Sequence, residues 1–189
     1  MDPQQVIDFW VSEVGEAGWY VQEDALDQKI RDRFMTTWEE ARDGKLHSWL
    51  ASAEGALGFL IVTDQFPRNM FRNDPRAFST DAKARAAAKQ AIDLRFDMKT
   101  PEPERQFFYL PMMHSECLTD QDRCVRLMKM GMSGDSSALH ARAHREIIRR
   151  FGRFPYRNEA LGRDSSAEER EFLEEGGYGR IVRELQAKV

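Results

Sequence analysis

The stretch HREIIRRFGRFPYRNEALGR, residues 144–163, is the part of the sequence that best defines how the chain folds. It starts with helical spacing, because His144, Ile148 and Phe151 fall on one face of a helix, and the helical pattern then stops. Its arginines are interleaved with Phe, Pro and Leu residues that favour burial, unlike the composition of a solvated basic tail. The stretch therefore predicts a helix that leads into an ordered, arginine-rich turn belonging to a site.

Apolar residues at helical spacing continue on both sides of this stretch. A helix capped by Asp2 is predicted to open the chain, with Pro3 in its first position. Further helices are predicted over residues 24–43, 54–65, 80–94 and 178–187, and others start near residues 100, 119, 136 and 165. No alternating run indicates a β-hairpin. The pattern predicts an all-α chain of about eight to ten helices, folded as a single domain over residues 1–189.

Glycine and proline give specific expectations for the helix over residues 54–65. Gly55 and Gly58 lower its helix propensity, and close packing of another helix would explain their presence. Pro67 disfavours helical backbone at the preceding residue, Phe66. We therefore expect this helix to end in a non-helical turn.

Three other local patterns make predictions about helix ends and faces. Thr119, with Asp122 three positions later, is close to the capping-box pattern and should start a helix. Pro111 should kink the helix that precedes it. Asp27 and Arg31 are four residues apart on the polar face of helix 24–43, where they would form a favourable surface pair.

Composition excludes several classes of protein. The net charge of −4 argues against non-specific binding to nucleic acid, and no apolar run reaches the roughly 18 residues of a membrane span. The N-terminus has neither the basic region nor the cleavage signal of a secretory leader. Cys117 and Cys124 would be about 10 Å apart on one helix, too far for a disulfide. We expect a cytoplasmic protein with two thiols and no membrane or nucleic-acid partner.

Several polar residues fall at or near the ends of apolar stripes and should point inward. These residues are Asp64, His114, Asp120 and His144. A buried polar group without a partner costs about 1–3 kcal/mol, and an unpaired charge costs more. Two segments could supply partners, DQFPRN at 64–69 and FGRFPYRN at 151–158. Both carry Phe-Pro and then Arg-Asn on what is predicted to be a non-helical turn.

Two interpretations of these arginines remain open at the level of sequence. In the first, they connect loops to inward-facing carboxylates as a buried ion-pair network. In the second, they line a pocket for a small anionic molecule or a peptide carboxylate, since the guanidinium fork suits both. The second interpretation assigns ligand binding to Asp64, Arg68, Asn69, His144, Arg153, Arg157 and Asn158. It assigns proton transfer to His114, Glu116 and Asp120.

Known catalytic and metal-binding motifs do not match the sequence. His140 and His144 have the spacing of metal ligands on a helix, but Ala141 stands where a zinc protease carries its glutamate. The segment 114–117 is similar to the start of a zinc deaminase motif, yet no Pro-Cys-x-x-Cys follows. Phosphate-binding loops, dinucleotide fingerprints and nucleophile elbows are also missing. We expect neither a metal nor a cofactor.

Motifs spread over nearly the whole chain carry a family resemblance. In chain order they are DFW at 8–10, DQFPRN at 64–69 with Arg72, Phe78 and Asp81, LP at 110–111, HSE at 114–116, DQ at 120–121, His144, RFGRFPYRN at 150–158, LGR at 161–163 and EE at 168–169. This set resembles a bacterial family, domain-of-unknown-function family 924. The resemblance implies a tetratricopeptide-like α-α right-handed superhelix and no established reaction. Tyr156 stands where the resemblance leads us to expect a histidine.

Three functional hypotheses follow. In the first, the chain binds a small anion or a peptide carboxylate in an arginine-lined pocket. In the second, it is a metal-independent hydrolase or transferase that uses His114 with Glu116 or Asp120. In the third, it is a protein-interaction scaffold whose arginines are structural. Two structural expectations accompany them. Asp64 should be buried and bonded to an arginine, and Arg68, His114, Arg153 and Asn158 should converge on one pocket.

Overall fold

All regular secondary structure in the described part of the chain, residues 1–188, is helical in the computed structural model. The all-α prediction is therefore confirmed. The chain divides into two compact units, Met1–Pro111 and Met112–Val189, which are described one at a time. The single domain and the tetratricopeptide-like superhelix remain predictions.

The first unit is built from α-helices joined by tighter and wider helical turns. Its α-helices are α1 (Pro3–Ile7), α2 (Asp24–Arg42), α3 (Ala53–Leu60), α4 (Phe66–Met70) and α5 (Asp81–Asp93). Wider π-helical turns occupy Asp8–Val14 and Ile61–Gln65. Tighter 3₁₀ turns occupy His47–Ala51, Pro75–Phe78, Asp97–Lys99 and Glu104–Phe108. A short helix, α6 (Leu110–Met113), lies at the boundary of the units.

The second unit contains longer helices and the arginine-rich turn. Its helices are α7 (Leu118–Gly131), α8 (Ser136–Phe151), α9 (Ala167–Glu174) and α10 (Gly177–Gln186), with a 3₁₀ turn at Pro155–Arg157. Helix α8 packs against α7 and α10. It ends at Gly152, which adopts a left-handed conformation with φ of 68° that glycine reaches without strain. The predicted helix followed by an ordered turn is confirmed.

Capping explains where two of these helices begin. The Asp2 side chain accepts a hydrogen bond from the Gln4 backbone at the start of α1, as predicted. Ser166 caps α9 through a reciprocal pair of hydrogen bonds with Glu169. Thr119 does not cap α7, because the helix already begins at Leu118 and this prediction is wrong.

The prediction of a non-helical turn at 64–69 is wrong. Phe66 has helical dihedral angles of −57° and −39°, and Pro67 lies in the first turn of α4. Proline is tolerated there because the first backbone N–H groups of a helix need no partner within the helix. The π-helical turn at Ile61–Gln65 separates α3 from α4, so the chain changes its helical winding without leaving the helical region.

The expected kinked helix around Pro111 is also absent. The chain instead forms a 3₁₀ turn, Glu104–Phe108, followed by the one-turn helix α6. His114 follows α6 as part of a turn, so it is not a member of a long helical stripe. Periodicity over this segment comes from consecutive short turns, which a helical template cannot distinguish from one helix.

Close packing explains both glycines of α3, as predicted. A Cβ atom at Gly55 would lie 2.1 Å from the backbone oxygen of Trp49, which is shorter than any non-bonded contact allows. A Cβ atom at Gly58 would lie 2.9 Å from the Pro3 side chain in α1. The missing side chains therefore let α1 and the turn at His47–Ala51 approach α3.

Each unit has its own apolar core. In the first, Phe34 and Phe66 pack with ring centroids 4.8 Å apart, and Phe9 and Trp10 pack edge-on against Phe66. In the second, buried residues from α8, the arginine-rich turn, α9 and α10 form one cluster. They are Ala143, Ile147, Ile148, Phe154, Phe172 and Ile181.

No described helix combines the length and apolar character that crossing a membrane requires. No disulfide joins Cys117 and Cys124. Cys124 is buried in α7, and burial raises the pKa of its thiol to about 12.

Candidate functional site

Asp64 is held by an arginine, as the sequence predicts. Its side chain is 1% exposed, and its carboxylate lies 3.4 Å from the guanidinium of Arg68, one helical turn later. The other end of the same guanidinium lies 3.0 Å from the carboxylate of Asp81 at the start of α5. Arg68 thus connects α4, the π-helical turn and α5, which is the geometry of an arginine that stabilises packing.

A second arginine of the first unit holds the carboxylate of Asp27, which was predicted to lie on the surface. Asp27 is 2% exposed and does not form a surface pair with Arg31. It accepts hydrogen bonds from Asn69 Nδ2 at 2.8 Å and from two nitrogens of Arg72, with Nη2 at 2.8 Å. The signal was present in the sequence, because Asp27 shares the face of α2 that carries Ile30 and other buried residues.

A bidentate pair between Glu116 and Arg163 holds the arginine-rich turn of the second unit. Two oxygens of Glu116 accept from two nitrogens of Arg163 at 2.8 and 3.0 Å. Glu116 also accepts from the Phe154 backbone N–H at 2.9 Å. Burial raises the pKa of Glu116, but these hydrogen bonds outweigh burial and the net pKa is lowered. The carboxylate is therefore held ionised against the turn.

Arg153 forms the second bidentate pair of this turn. Its Nε and Nη2 atoms donate to the two oxygens of Glu169 at 2.7 and 2.8 Å. Asn158 Nδ2 lies 3.3 Å from the same carboxylate, and its amide oxygen accepts from Arg163 at 3.0 Å. The hydrogen bonds from Arg153 lower the pKa of Glu169 to about 2, against the opposing effect of burial. One continuous network therefore joins both arginines through Asn158.

Arg157 is buried, with 6% of its surface exposed. Its guanidinium stacks over the ring of Phe154 at 4.6 Å from the centroid. Phe154 is fully buried in the core of the second unit, so its packing holds the turn in place.

The residues predicted to transfer protons occupy different environments. Asp120 is buried and accepts a hydrogen bond from the Ser115 hydroxyl at 2.8 Å. Glu116 faces Arg163, as described above. His114 is half-buried, with its ring centroid 6.3 Å from that of His144. The catalytic roles assigned to His114, Glu116 and Asp120 remain predictions.

His144 belongs to a cluster of aromatic and imidazole rings. Its Nδ1 donates to the His140 backbone carbonyl at 2.9 Å, and its ring lies 4.8 Å from that of Tyr178 in α10. Burial lowers the pKa of His144 to about 3, so the ring is neutral at pH 7. His140 Nδ1 and the Tyr178 hydroxyl are 2.5 Å apart. Burial also lowers the pKa of His140 and raises that of Tyr178 to about 12.

A cleft of about 430 Å³ lies beside this cluster, within the second unit. It is bounded by the end of α7, the start of α8 and the end of α10. Its lining residues are Lys129, Asp135, Ser136, Ala138, Leu139, His140, Arg142 and Gln186. This cleft could not be predicted from the sequence, because residues from three helices form it, and His140 was noted only for its spacing from His144.

The predicted binding residues fall into two groups. Asp64, Arg68 and Asn69 lie in the first unit; His144, Arg153, Arg157 and Asn158 lie in the second, as do the three predicted catalytic residues. Arg153 and Asn158 share Glu169 as a partner. Convergence of Arg68, His114, Arg153 and Asn158 on one pocket remains a prediction.

Residues 1–188 contain no group of three or more histidine, cysteine, aspartate or glutamate side chains arranged to hold a metal ion. The expected absence of metal and cofactor remains a prediction, which elemental analysis of the purified protein would test.

The fold and these contacts define an all-helical protein whose arginine-rich turn is fastened by carboxylates from neighbouring segments. The chain belongs to the family described as bacterial protein of unknown function, DUF924, whose profile matches residues 6–177. It is also similar to a solved structure, a protein of unknown function from Agrobacterium tumefaciens. The two share 39% sequence identity and a TM-score of 0.88, over 92% of this chain and 97% of that one. No curated protein matches the chain.

Proposed function

We propose that this chain binds a small anionic ligand in the cleft of the second unit, and that its motif arginines stabilise the fold. The observation that carries the proposal is a difference between two sets of cations. Arg68, Arg72, Arg153 and Arg163 each hold a carboxylate. Lys129 and Arg142 line the cleft and form no ion pair within the described part of the chain.

The chemistry of the lining supports an anionic ligand. Two cations, the imidazole of His140 and the hydroxyl of Ser136 surround a volume within the usual range of ligand pockets. Asp135 is the acidic residue of the lining, so positive groups exceed negative ones. The N-terminal turn of α8 adds backbone N–H groups and a favourable dipole at the same position.

The proposal keeps the predicted class of ligand, a small anion, and assigns its binding to the residues of the cleft instead of the motif arginines. An arginine whose Nε and Nη2 atoms already donate to a carboxylate, as those of Arg153 do, has fewer donors left for a ligand. The predicted binding roles of Arg68 and Arg153 become fold-stabilising roles in this proposal. The hydrolase and transferase alternatives gain no support from Glu116, which is engaged by Arg163.

Calorimetric titration with inorganic phosphate, acetate and citrate tests the proposal. We expect at least one of these anions to bind wild-type protein and to raise its melting temperature. Lys129→Ala and Arg142→Ala should each weaken binding about tenfold or more, because a hydrogen bond to a charged group contributes about 1.5–3 kcal/mol.

Arg126→Ala is the matched control. It removes the same charge from the same helix as Lys129, but Arg126 does not line the cleft. The control should retain wild-type affinity. Equal losses in Arg126→Ala and Lys129→Ala would indicate non-specific attraction, and no binding of any anion to wild type would reject the proposal.

A further inference from the structure

The hydrogen bond between Tyr178 and His140 determines what His140 can offer to a ligand. The hydroxyl of Tyr178 lies 2.5 Å from His140 Nδ1, and the two rings are nearly parallel. A phenol can donate to a neutral imidazole nitrogen or accept from it, so the tautomer must be inferred from the surrounding hydrogen bonds.

The surroundings favour donation by the tyrosine. If His140 Nδ1 carried the proton, the Tyr178 proton would need another acceptor, and the described part of the chain provides none. If Tyr178 donates, its proton and the Nδ1 lone pair satisfy each other. Burial raises the pKa of Tyr178 to about 12, so the phenol is protonated at neutral pH in either arrangement.

We infer that Tyr178 fixes His140 as the Nε2–H tautomer, and that His140 donates this N–H to the anion in the cleft. The inference rests on the proposed function, because it assigns a role at the same site. His140 lines the cleft, while Tyr178 contacts His140 and is not part of the lining. Tyr178 is therefore a positioning residue, and His140 is the residue that contacts the ligand.

The ligand should then be an acceptor that uses a neutral hydrogen-bond donor in a cleft that also presents two cations. Lys129 and Arg142 supply charge, and the imidazole of His140, whose pKa is lowered by burial, supplies a directional hydrogen bond. A phosphate or carboxylate oxygen satisfies these requirements.

The tautomer can be measured without a ligand. Long-range ¹⁵N–¹H NMR of wild-type protein at pH 7 should show His140 as the Nε2–H form. In Tyr178→Phe, which keeps the ring and removes the hydroxyl, we expect a mixture of tautomers. A wild-type spectrum showing the Nδ1–H form or an imidazolium would overturn the inference.

Binding measurements with phosphate and acetate as probes test whether His140 donates a hydrogen bond to the anion. Tyr178→Phe should weaken affinity about three- to tenfold, whereas Tyr156→Phe, a tyrosine of the same unit outside the cleft, should not. His140→Gln, whose amide can still donate, should bind more tightly than His140→Leu.

The outcomes separate the two proposals. Normal affinity in Tyr178→Phe and His140→Leu, together with loss in Lys129→Ala, would overturn the inference and leave the proposed function standing. If wild type binds none of phosphate, acetate and citrate, both proposals fail as statements about a ligand, and the NMR spectrum alone decides whether Tyr178 sets the tautomer.

Discussion

Asp27, Asp64 and Glu169 are buried acidic residues, and the carboxylate of each lies within ion-pairing distance of an arginine. Asp27 and Glu169 are 2% and 3% exposed, and each accepts from two nitrogens of one arginine and from an asparagine. Such a pair costs desolvation when it forms, so removing one partner is more damaging than replacing both. The motif arginines are therefore expected to matter first for stability.

The substitution Arg153→Lys tests whether a motif arginine stabilises the fold. Lysine keeps the charge but cannot form the two parallel hydrogen bonds to Glu169, so the melting temperature should fall. The change should not alter anion affinity at the cleft. Thermal melts with and without phosphate measure both effects.

Arg150→Lys is the control for this change. Arg150 forms an exposed pair with Glu146 on α8, and exposed pairs contribute little to stability. If Arg153→Lys leaves the melting temperature unchanged but weakens anion binding, the fold-stabilising role proposed for Arg153 is contradicted.

The lowered pKa of His144 leads us to expect a loss of stability in mildly acidic solution. Its folded-state pKa is about 3, mainly because of burial, whereas an unfolded histidine titrates near 6.5. The unfolded state therefore binds more protons below pH 6.5, and the contribution to stability present above that pH is lost as the pH falls toward 3. The slope from one such group is at most about 1.4 kcal/mol per pH unit.

Urea unfolding at pH 7.0, 6.0 and 5.0 measures this slope above the range where most carboxylates titrate. His144→Phe should reduce the slope without abolishing it, because the pKa of His140 is also lowered by burial. His47→Phe, which removes an exposed histidine from the first unit, should keep the wild-type slope. Identical slopes in all three proteins would show that His144 titrates normally.

Helices of the first unit are placed by small residues and by changes of helical winding. Gly55 and Gly58 allow α3 to touch its neighbours, and the π-helical turn at Ile61–Gln65 redirects the chain into α4. Asp64 in that turn pairs with Arg68 in α4, four residues later. Helix propensity alone would favour a longer, straighter α3 without glycine.

Gly55→Ala is therefore expected to destabilise the protein, although alanine is the better helix former. The new Cβ would overlap the Trp49 backbone oxygen, and relieving such a clash should cost about 1–3 kcal/mol or more. Urea denaturation gives the change in free energy of unfolding.

Gly179→Ala in α10 is the matched control at the element scale. A Cβ atom there meets only the flexible end of Arg183, at 3.5 Å. Helix propensity should then dominate and stabilise the protein by about 0.5–1 kcal/mol. Stabilisation by both substitutions would mean that α3 is free to move away from Trp49.

At the scale of the whole molecule, the open question is whether the two compact units unfold together. All the tryptophans lie in the first unit, at positions 10, 19, 38 and 49. Tryptophan fluorescence therefore follows the first unit, while far-UV circular dichroism follows the helices of both. Because we predict a single domain, the two signals should give one coincident urea transition.

Separate midpoints would contradict the single-domain prediction. If the urea midpoint from fluorescence differs from the midpoint of part of the circular dichroism change, residues 112–189 form an independent domain. Repeating the measurement with Arg153→Lys identifies the second unit, since that substitution should move only the transition of its own unit if the two are independent.

The sequence by itself determined the helical class, the main helices and the burial of Asp64. Apolar spacing placed α2, α5 and α8 within one or two residues of their observed ends, because amphipathic periodicity is a local property of the chain. Glycine spacing and the capping residue Asp2 added correct expectations for α3 and α1. The family motifs were also present in the sequence, and the family membership is confirmed.

Tertiary structure decided which charged group faces which partner. Arg163 is 47 residues from Glu116 in sequence, and Arg72 is 45 residues from Asp27, so no local pattern could pair them. The cleft is formed by the ends of three helices, whose side chains are unremarkable along the chain. Local periodicity fixes the face on which a residue lies, but only packing brings faces together, and for this reason the candidate site emerged from the structure.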